Sequence, residues 1–96
     1  MYNLHFVSTF AATYKTLVKG NQELEKRTEK SLGLLKNNPF YPSLKSHKVN
    51  TRNFGGKWSS WITSDLRIIW DFDTEGVIII LIFAITKHSG SHREYK

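Results

Sequence analysis

The chain of 96 residues contains no cysteine. That absence removes disulfides, zinc–thiolate sites and thiol nucleophiles together, and it fits a reducing compartment. Glycine is sparse, with six residues, and Gly55-Gly56 stands alone. Walker-type and dinucleotide-binding glycine loops are therefore missing, as is a G-x-S-x-G nucleophile elbow. The serine-rich run Trp58-Ser59-Ser60-Trp61 has no placed base beside it. No long apolar run exists either: the most apolar stretch, Val77 to Ile85, falls far short of the ~20 residues of a membrane helix. Met1-Tyr2-Asn3-Leu4-His5 lacks the basic and apolar regions of a secretory signal. These absences lead to the expectation of a soluble, cytoplasmic protein without membrane contact. No repeat, linker or low-complexity segment divides the chain, and its length suits one domain over residues 1–96 with one core.

Acidic residues are also in short supply. Fourteen Lys and Arg face eight Asp and Glu, for a net charge of +6. Such a balance favours an anionic partner: RNA, DNA, a ribosome or an acidic protein segment. Aromatic residues make up 14% of the chain, enough for a packed core without staples.

Hydrophobic periodicity predicts an α+β fold. Tyr2 to Val7 alternates Leu4 and Phe6 with polar neighbours, as a strand does. Ser8 or Thr9 is the expected cap of a first helix, with Phe10, Tyr14, Leu17 and Val18 on one face and Gly20 ending it. Asn21 caps a second helix, whose first turn holds Glu23 and Glu25 and whose inner stripe is Leu24, Thr28, Leu32 and Leu35. Asn37-Asn38-Pro39 stops it. The two helices read as an antiparallel hairpin. Ser43 to Val49 is a candidate short edge strand, and Asn50 to Gly56 a loop. The segment Trp58 to Thr63 alternates as a strand, and Ser64-Asp65 makes a tight connection. Leu66, Ile68, Trp70 and Phe72 then share one strand face, and Arg67, Ile69 and Asp71 the other. Asp73-Thr74-Glu75-Gly76 signals a hairpin turn. Val77 to Phe83 is apolar on both faces and should be central. The expectation is an N-terminal strand, a two-helix hairpin and then a roughly four-stranded, mainly antiparallel sheet.

Three segments carry candidate chemistry. Arg67 lies on a strand whose opposite face must be core, so its guanidinium looks away from the helices and can grip a phosphate in bidentate fashion. The bland alternative is a surface arginine paired to Asp65 or Asp71. Lys45 and His47 project to one side of an extended segment and Lys48 to the other. Histidine changes charge near neutral pH and so can move a proton; the alternative is a solvated edge strand guarded by lysines. The ending Thr86-Lys87-His88-Ser89-Gly90-Ser91-His92-Arg93-Glu94-Tyr95-Lys96 gathers two histidines, a tyrosine and cations. His88 and His92 are spaced for a metal on a helical turn, yet no Cys or acidic cluster supplies further ligands, so no metal or other cofactor is expected. Tyr95 is either an acid–base group or a C-terminal apolar plug. Arg52, Lys57, His92 and Arg93 extend the cationic set available to RNA, and Trp61 faces the Arg67 side as a possible stacking surface, though tryptophans are more often core.

The order of these elements, with Leu34-Leu35-Lys36-Asn37-Asn38-Pro39, then Leu44-Lys45-Ser46-His47-Lys48, then Asp65-Leu66-Arg67-Ile68-Ile69-Trp70, then His88 to Tyr95, resembles the RelE/StbE branch of the RelE/ParE toxin superfamily. The resemblance covers nearly the whole chain. It implies a RelE-like fold and a type II toxin that cuts mRNA in the ribosomal A site, using the RNA 2′-OH as nucleophile without a metal. It further implies that Arg67 stabilises the phosphorane, that His47 and Asp65 occupy proton-transfer positions, that His88 holds the tail position of Arg or His, and that Tyr95 is the terminal aromatic. Lys45, Lys48 and Lys87 would bind phosphates. The implied partners are a RelB-like antitoxin, the 70S ribosome and mRNA. Where many relatives carry Gly-Gly or Gly-Thr before the tail histidine, this chain has Thr86-Lys87. Which of His47, His88, His92 and Tyr95 acts as base stays open at this level. Two other functions fit the same fold: a ParE-like gyrase inhibitor, and an RNA-binding module without catalysis.

Overall fold

The computed structural model describes residues 2–73 and 79–87. Eight elements follow in order: β1 (Asn3–Phe6), α1 (Ser8–Leu17), α2 (Gln22–Asn37), a 3-10 turn (Pro42–Leu44), β2 (His47–Thr51), β3 (Gly55–Trp61), β4 (Leu66–Phe72) and β5 (Ile79–Lys87). The strands form one mixed sheet in the order β1-β5-β4-β3-β2. The β2–β5 neighbours are antiparallel, whereas β1 runs parallel to β5, with Asn3 opposite Ile79 and Phe6 opposite Ile82. The expected α+β architecture is thus observed, and the apolar strand β5 takes the interior position between β1 and β4.

The core lies on one face of the sheet. Leu66, Ile68 and Trp70 of β4 and Ile80, Ile82 and Ile85 of β5 pack there with Phe10, Val18 and Leu35 from the helical layer. Burial of these side chains is the main driving force, on the order of 2 kcal/mol for each fully covered large aliphatic residue. The helices stop and start as their sequence dictates. Gly20 takes φ +94, a left-handed conformation that costs glycine nothing. Asn21 Oδ1 then accepts the Leu24 N–H at 3.1 Å and caps α2.

Several boundaries differ from expectation. Neither Ser8 nor Thr9 caps α1; the cap is Val7, which offers no side-chain acceptor. Thr9 instead donates its hydroxyl to the Phe83 carbonyl, and Thr13 Oγ1 accepts the Ile85 N–H at 2.8 Å. The reason is topological. β1 pairs with β5 only as far as Ile82, so the continuing edge of β5 would otherwise hold unpaired backbone groups. Two threonines of α1 supply the missing partners. The expected strand from Ser43 begins only at His47, because the 3-10 turn occupies Pro42–Leu44. The expected loop over 50–56 shrinks to three residues, since Thr51 pairs with Gly55. Thr51 Oγ1 holds this turn, donating to the Gly55 carbonyl and accepting the Phe54 N–H, both at 2.9 Å. The strand expected through Thr63 ends at Trp61, with Ile62 and Thr63 both donating their N–H to the Leu66 carbonyl. The 74–76 portion of the expected hairpin turn lies outside the described residues.

Candidate functional site

The second face of the sheet carries the candidate site. Register places three rows across it. Lys45 Nζ lies 4.9 Å from the centre of the Trp61 ring; Trp61 is directly opposite Arg67, and Arg67 is opposite Thr86. The second row is His47, Ser59, Ile69 and Ala84, and the third is Val49 and Lys57, with Asp71 joining Lys57 through a 3.7 Å ion pair. This face is not simply solvated: Ile69 and Ala84 are buried, although the helices lie on the other side. Phe54, from the β2–β3 turn, folds over it to within 5.5 Å of the Phe83 ring, ring centre to ring centre.

Arg67 differs most from its bland alternative. It is only 6% exposed. Its guanidinium carbon lies 4.5 Å from the Trp61 ring centre, and Nε and one terminal nitrogen both donate to the Ser64 carbonyl, at 3.3 and 2.8 Å. The β3–β4 turn that positions Ser64 is itself fixed: Thr63 Oγ1 accepts the N–H groups of Asp65 and Leu66. Ser31 of α2 donates to the Trp61 carbonyl at 3.0 Å and ties the same turn to the helical layer. A planar cation is thereby held against an indole with the help of the Ser64 carbonyl, in an orientation the protein sets before any ligand arrives. Trp61 carries two cations, Lys45 and Arg67, each worth about 0.5–2 kcal/mol depending on exposure.

His47 sits exposed at the start of β2. Its Nδ1 is 2.9 Å from the Lys45 carbonyl oxygen. A carbonyl only accepts, so Nδ1 carries the proton, and the neutral ring has its lone pair on Nε2. Lys45 makes this contact from a left-handed backbone conformation, φ 49. Next to it a chain of hydroxyls, buried at its Trp70–Ser60 end, fixes the segment. Trp70 Nε1–H donates to Ser60 Oγ at 2.7 Å, the Ser60 and Ser46 hydroxyls are 2.6 Å apart, and Ser46 donates to the Pro39 carbonyl at 2.6 Å. Because the indole can only donate and the carbonyl can only accept, the chain has one direction: Trp70 to Ser60 to Ser46 to Pro39. Ser46 lies between Lys45 and His47, so this chain anchors both. Neither Ser46 nor Ser60 stands out in the sequence, since only the tertiary pairing shows their partners.

The remaining candidates divide. Asp65 is exposed in the β3–β4 turn, two residues from Arg67. Arg52 is exposed in the β2–β3 turn, and Lys87 is exposed at the end of β5. Lys57 is on the Arg67 face but is paired with Asp71 and lies over Phe83 at 5.0 Å. Lys48 is on the opposite side of the sheet: it pairs with Trp58 and places Nζ 5.2 Å from that ring centre. It does not join Lys45, His47 and Arg67. His88, His92, Arg93 and Tyr95 lie outside the described residues. Among the described residues no three His, Cys, Asp or Glu side chains gather as a metal site, and no helix is long and apolar enough to cross a membrane.

The architecture has counterparts among solved structures. A YoeB/ParE toxin from Agrobacterium tumefaciens superposes with a TM-score of 0.70 at 15% identity, over 90% of this chain and 98% of that one. The YoeB dimer from Staphylococcus aureus gives 0.69 at 20% identity, over 91% and 97%. The archaeal RelE of a RelE–RelB complex from Pyrococcus horikoshii OT3 gives 0.69 at 13% identity, over 93% and 97%. This is the RelE-like toxin fold. No family model and no curated protein sequence matches the chain. The RelE-like fold therefore stands on its three-dimensional path: the parallel β1–β5 pairing, the helical layer on one face, and Arg67 on the other.

Proposed function

We propose that this chain is a toxin of the RelE/ParE superfamily, acting as an endoribonuclease on ribosome-bound mRNA and restrained by a cognate antitoxin. The observation that carries the reading is the row Lys45–Trp61–Arg67 beside His47, on the sheet face away from the core. The superposed toxins, two of them described as YoeB and one as RelE bound to RelB, support the superfamily and the antitoxin partner.

The chemistry follows from the side chains. The 2′-oxygen bonds to phosphorus, the bond from phosphorus to the 5′-oxygen breaks, and the products end in a 2′,3′-cyclic phosphate and a 5′-hydroxyl. His47 Nε2 takes the 2′-OH proton. Register puts the Cα atoms of His47 and Arg67 two strand spacings apart sideways and two residues apart along the strands, roughly 12 Å in all, a gap a nucleotide can bridge. Arg67, already oriented by Trp61 and the Ser64 carbonyl, faces the charge that grows on the phosphorane oxygens; a preset donor of this kind typically contributes about 10²–10³ in rate. His88 or Tyr95 supplies the proton for the leaving 5′-oxygen, Asp65 and Lys87 flank the site, and His92 and Arg93 add positive charge for the RNA. Lys45 and Arg52 hold phosphates. A site without a deep pocket suffices if the ribosome positions the mRNA.

Cleavage mapping tests this directly. Purified protein is incubated with labelled mRNA, free and on programmed 70S ribosomes, with EDTA present in the free-RNA control. Cuts at the A-site codon only with ribosomes, abolished in Arg67→Ala and carrying cyclic phosphate ends, are the expected result. Folded, growth-arresting protein that cuts in neither setting would overturn the reading and point to gyrase.

A further inference from the structure

Residues 30–64 contain six cations, Lys30, Lys36, Lys45, Lys48, Arg52 and Lys57, and no Asp or Glu. This acid-free stretch builds the β2–β3 hairpin and the connection leading into it. In that connection Phe40 is 49% exposed and Tyr41 46%, and with Phe6 they are the large apolar side chains most open to solvent among the described residues. Adjacent exposed aromatics on a small protein mark a contact surface.

The loop that presents them is rigid. Asn38 Oδ1 accepts the Phe40 N–H at 3.0 Å, and the Asn38 carbonyl accepts the Tyr41 N–H at 3.0 Å. Leu44 N–H donates to the Tyr41 carbonyl at 2.9 Å, and Lys45 N–H to the Pro42 carbonyl at 3.1 Å. Phe40 stands edge-on to Trp58 at 5.0 Å between ring centres. Lys48 Nζ lies over the same Trp58 ring at 5.2 Å. The patch is therefore two exposed aromatic side chains on a hydrogen-bonded loop, with Phe40 and Lys48 sharing the Trp58 ring. It lies across β2 from His47, because Lys48 and His47 point to opposite faces of that strand.

Two exposed aromatic rings beside a lysine, in a stretch of sequence without acid, suit a strand of unpaired nucleotides, whose bases stack and whose phosphates meet lysine. A purely apolar partner would leave Lys48 without purpose, and an acidic peptide would gain little from two exposed rings. We infer that Phe40, Tyr41 and Lys48 form a second RNA subsite, taking unpaired bases on the reverse side of the β2–β3 hairpin from His47 and Arg67. The inference rests on RNA being the partner under the proposed function, but it concerns binding and not cleavage. RNA would then hold the β2 edge from both sides.

The probe is a fluorescein-labelled, unstructured RNA of about twelve nucleotides, a length within single-strand site sizes. It is 2′-O-methylated throughout, so it has no nucleophile and cannot be cut. Fluorescence anisotropy is measured with wild type, Tyr41→Leu, Phe40→Leu, Lys48→Gln and the conservative Tyr41→Phe, each checked for a wild-type melting transition. Tyr41→Leu and Phe40→Leu should each weaken binding at least about fivefold, the smallest effect of losing one stacked base. Lys48→Gln should flatten the salt dependence, and Tyr41→Phe should bind as wild type. Leucine variants that bind like wild type, or a wild-type protein with no affinity for the probe, would overturn the subsite. So would leucine variants that lose antitoxin binding and keep RNA binding, which would make the patch a protein contact. The ribosome assay separates the two readings. Loss of stacking without ribosomal cleavage keeps the subsite and sinks the endonuclease, and cleavage with indifferent leucine variants does the reverse.

Discussion

Lys45 concentrates several roles in one residue. Its backbone is left-handed at φ 49, a conformation that costs a residue with a Cβ on the order of 1 kcal/mol. The same conformation turns its carbonyl to His47 Nδ1 and lays its ammonium over Trp61. Lys45→Gly removes both the strain and the contact with Trp61, so thermal stability should stay within about 1 kcal/mol of wild type while RNA affinity weakens. A melting curve and a binding isotherm on the same sample separate the two effects. A variant that loses both together would mean the backbone is not strained. Tyr14 supplies a pH-dependent case. Burial, then the carboxylates of Glu25 and Glu29, push its phenol above the ordinary value of 10.0. The folded state thus keeps the proton that the unfolded chain releases, so its contribution is full below pH 10 and falls as pH climbs toward the raised value. Denaturant melts across alkaline pH should show a stability loss in wild type that Tyr14→Phe lacks in part, and ultraviolet titration should show one late-ionising tyrosine.

At the level of elements, the alternating strands were legible in the sequence and the hydrogen bonds that position them were not. Leu66, Ile68, Trp70 and Phe72 against Arg67, Ile69 and Asp71 reads correctly from period alone, and so does Trp61 beside Arg67. Asn21 as a cap is equally local, with its partner three residues away. By contrast Thr9 and Thr13 look like ordinary helix-start residues until their partners, 74 and 72 positions away, are placed. The register shift in β5 between the partners of Ile69 and Trp70 also leaves no mark in an all-apolar run. Burial of Arg67 was hidden for a related reason: alternation tells which face a residue is on, not whether a neighbouring indole and a turn carbonyl, here Trp61 and Ser64, close around its side chain. The Trp70–Ser60–Ser46–Pro39 chain gives the test at this scale. Ser60→Ala leaves the buried Trp70 N–H without an acceptor, a cost of about 1–3 kcal/mol. For a domain of this size each lost kcal/mol lowers the midpoint by about 4–8 °C. Differential scanning calorimetry should find that drop, and Ser60→Thr, which keeps the hydroxyl, should recover part of it.

For the molecule as a whole, charge sets how it meets its partner. With a net +6, affinity for single-stranded RNA should fall with salt on a log–log slope near −0.7 for each phosphate contact. Replacing Lys57, already paired with Asp71 at 3.7 Å, should change that slope less than replacing Lys45. Titrations at several salt concentrations measure both; equal slopes would mean the Lys57–Asp71 pair opens on binding. The pairing of β1 with β5 has a different kind of consequence. Asn3 meets Ile79, so the first strand made must wait for the last before its backbone finds a neighbour. Contacts of such sequence separation slow folding, because a long loop closes before anything rewards it. Synthesis therefore delivers a chain that is unfinished as a sheet until β5 has emerged. A protein proposed to attack the machinery that makes it would be harmless until β5 has been made, its topology acting as a delay timer set by the order in which the strands leave the ribosome.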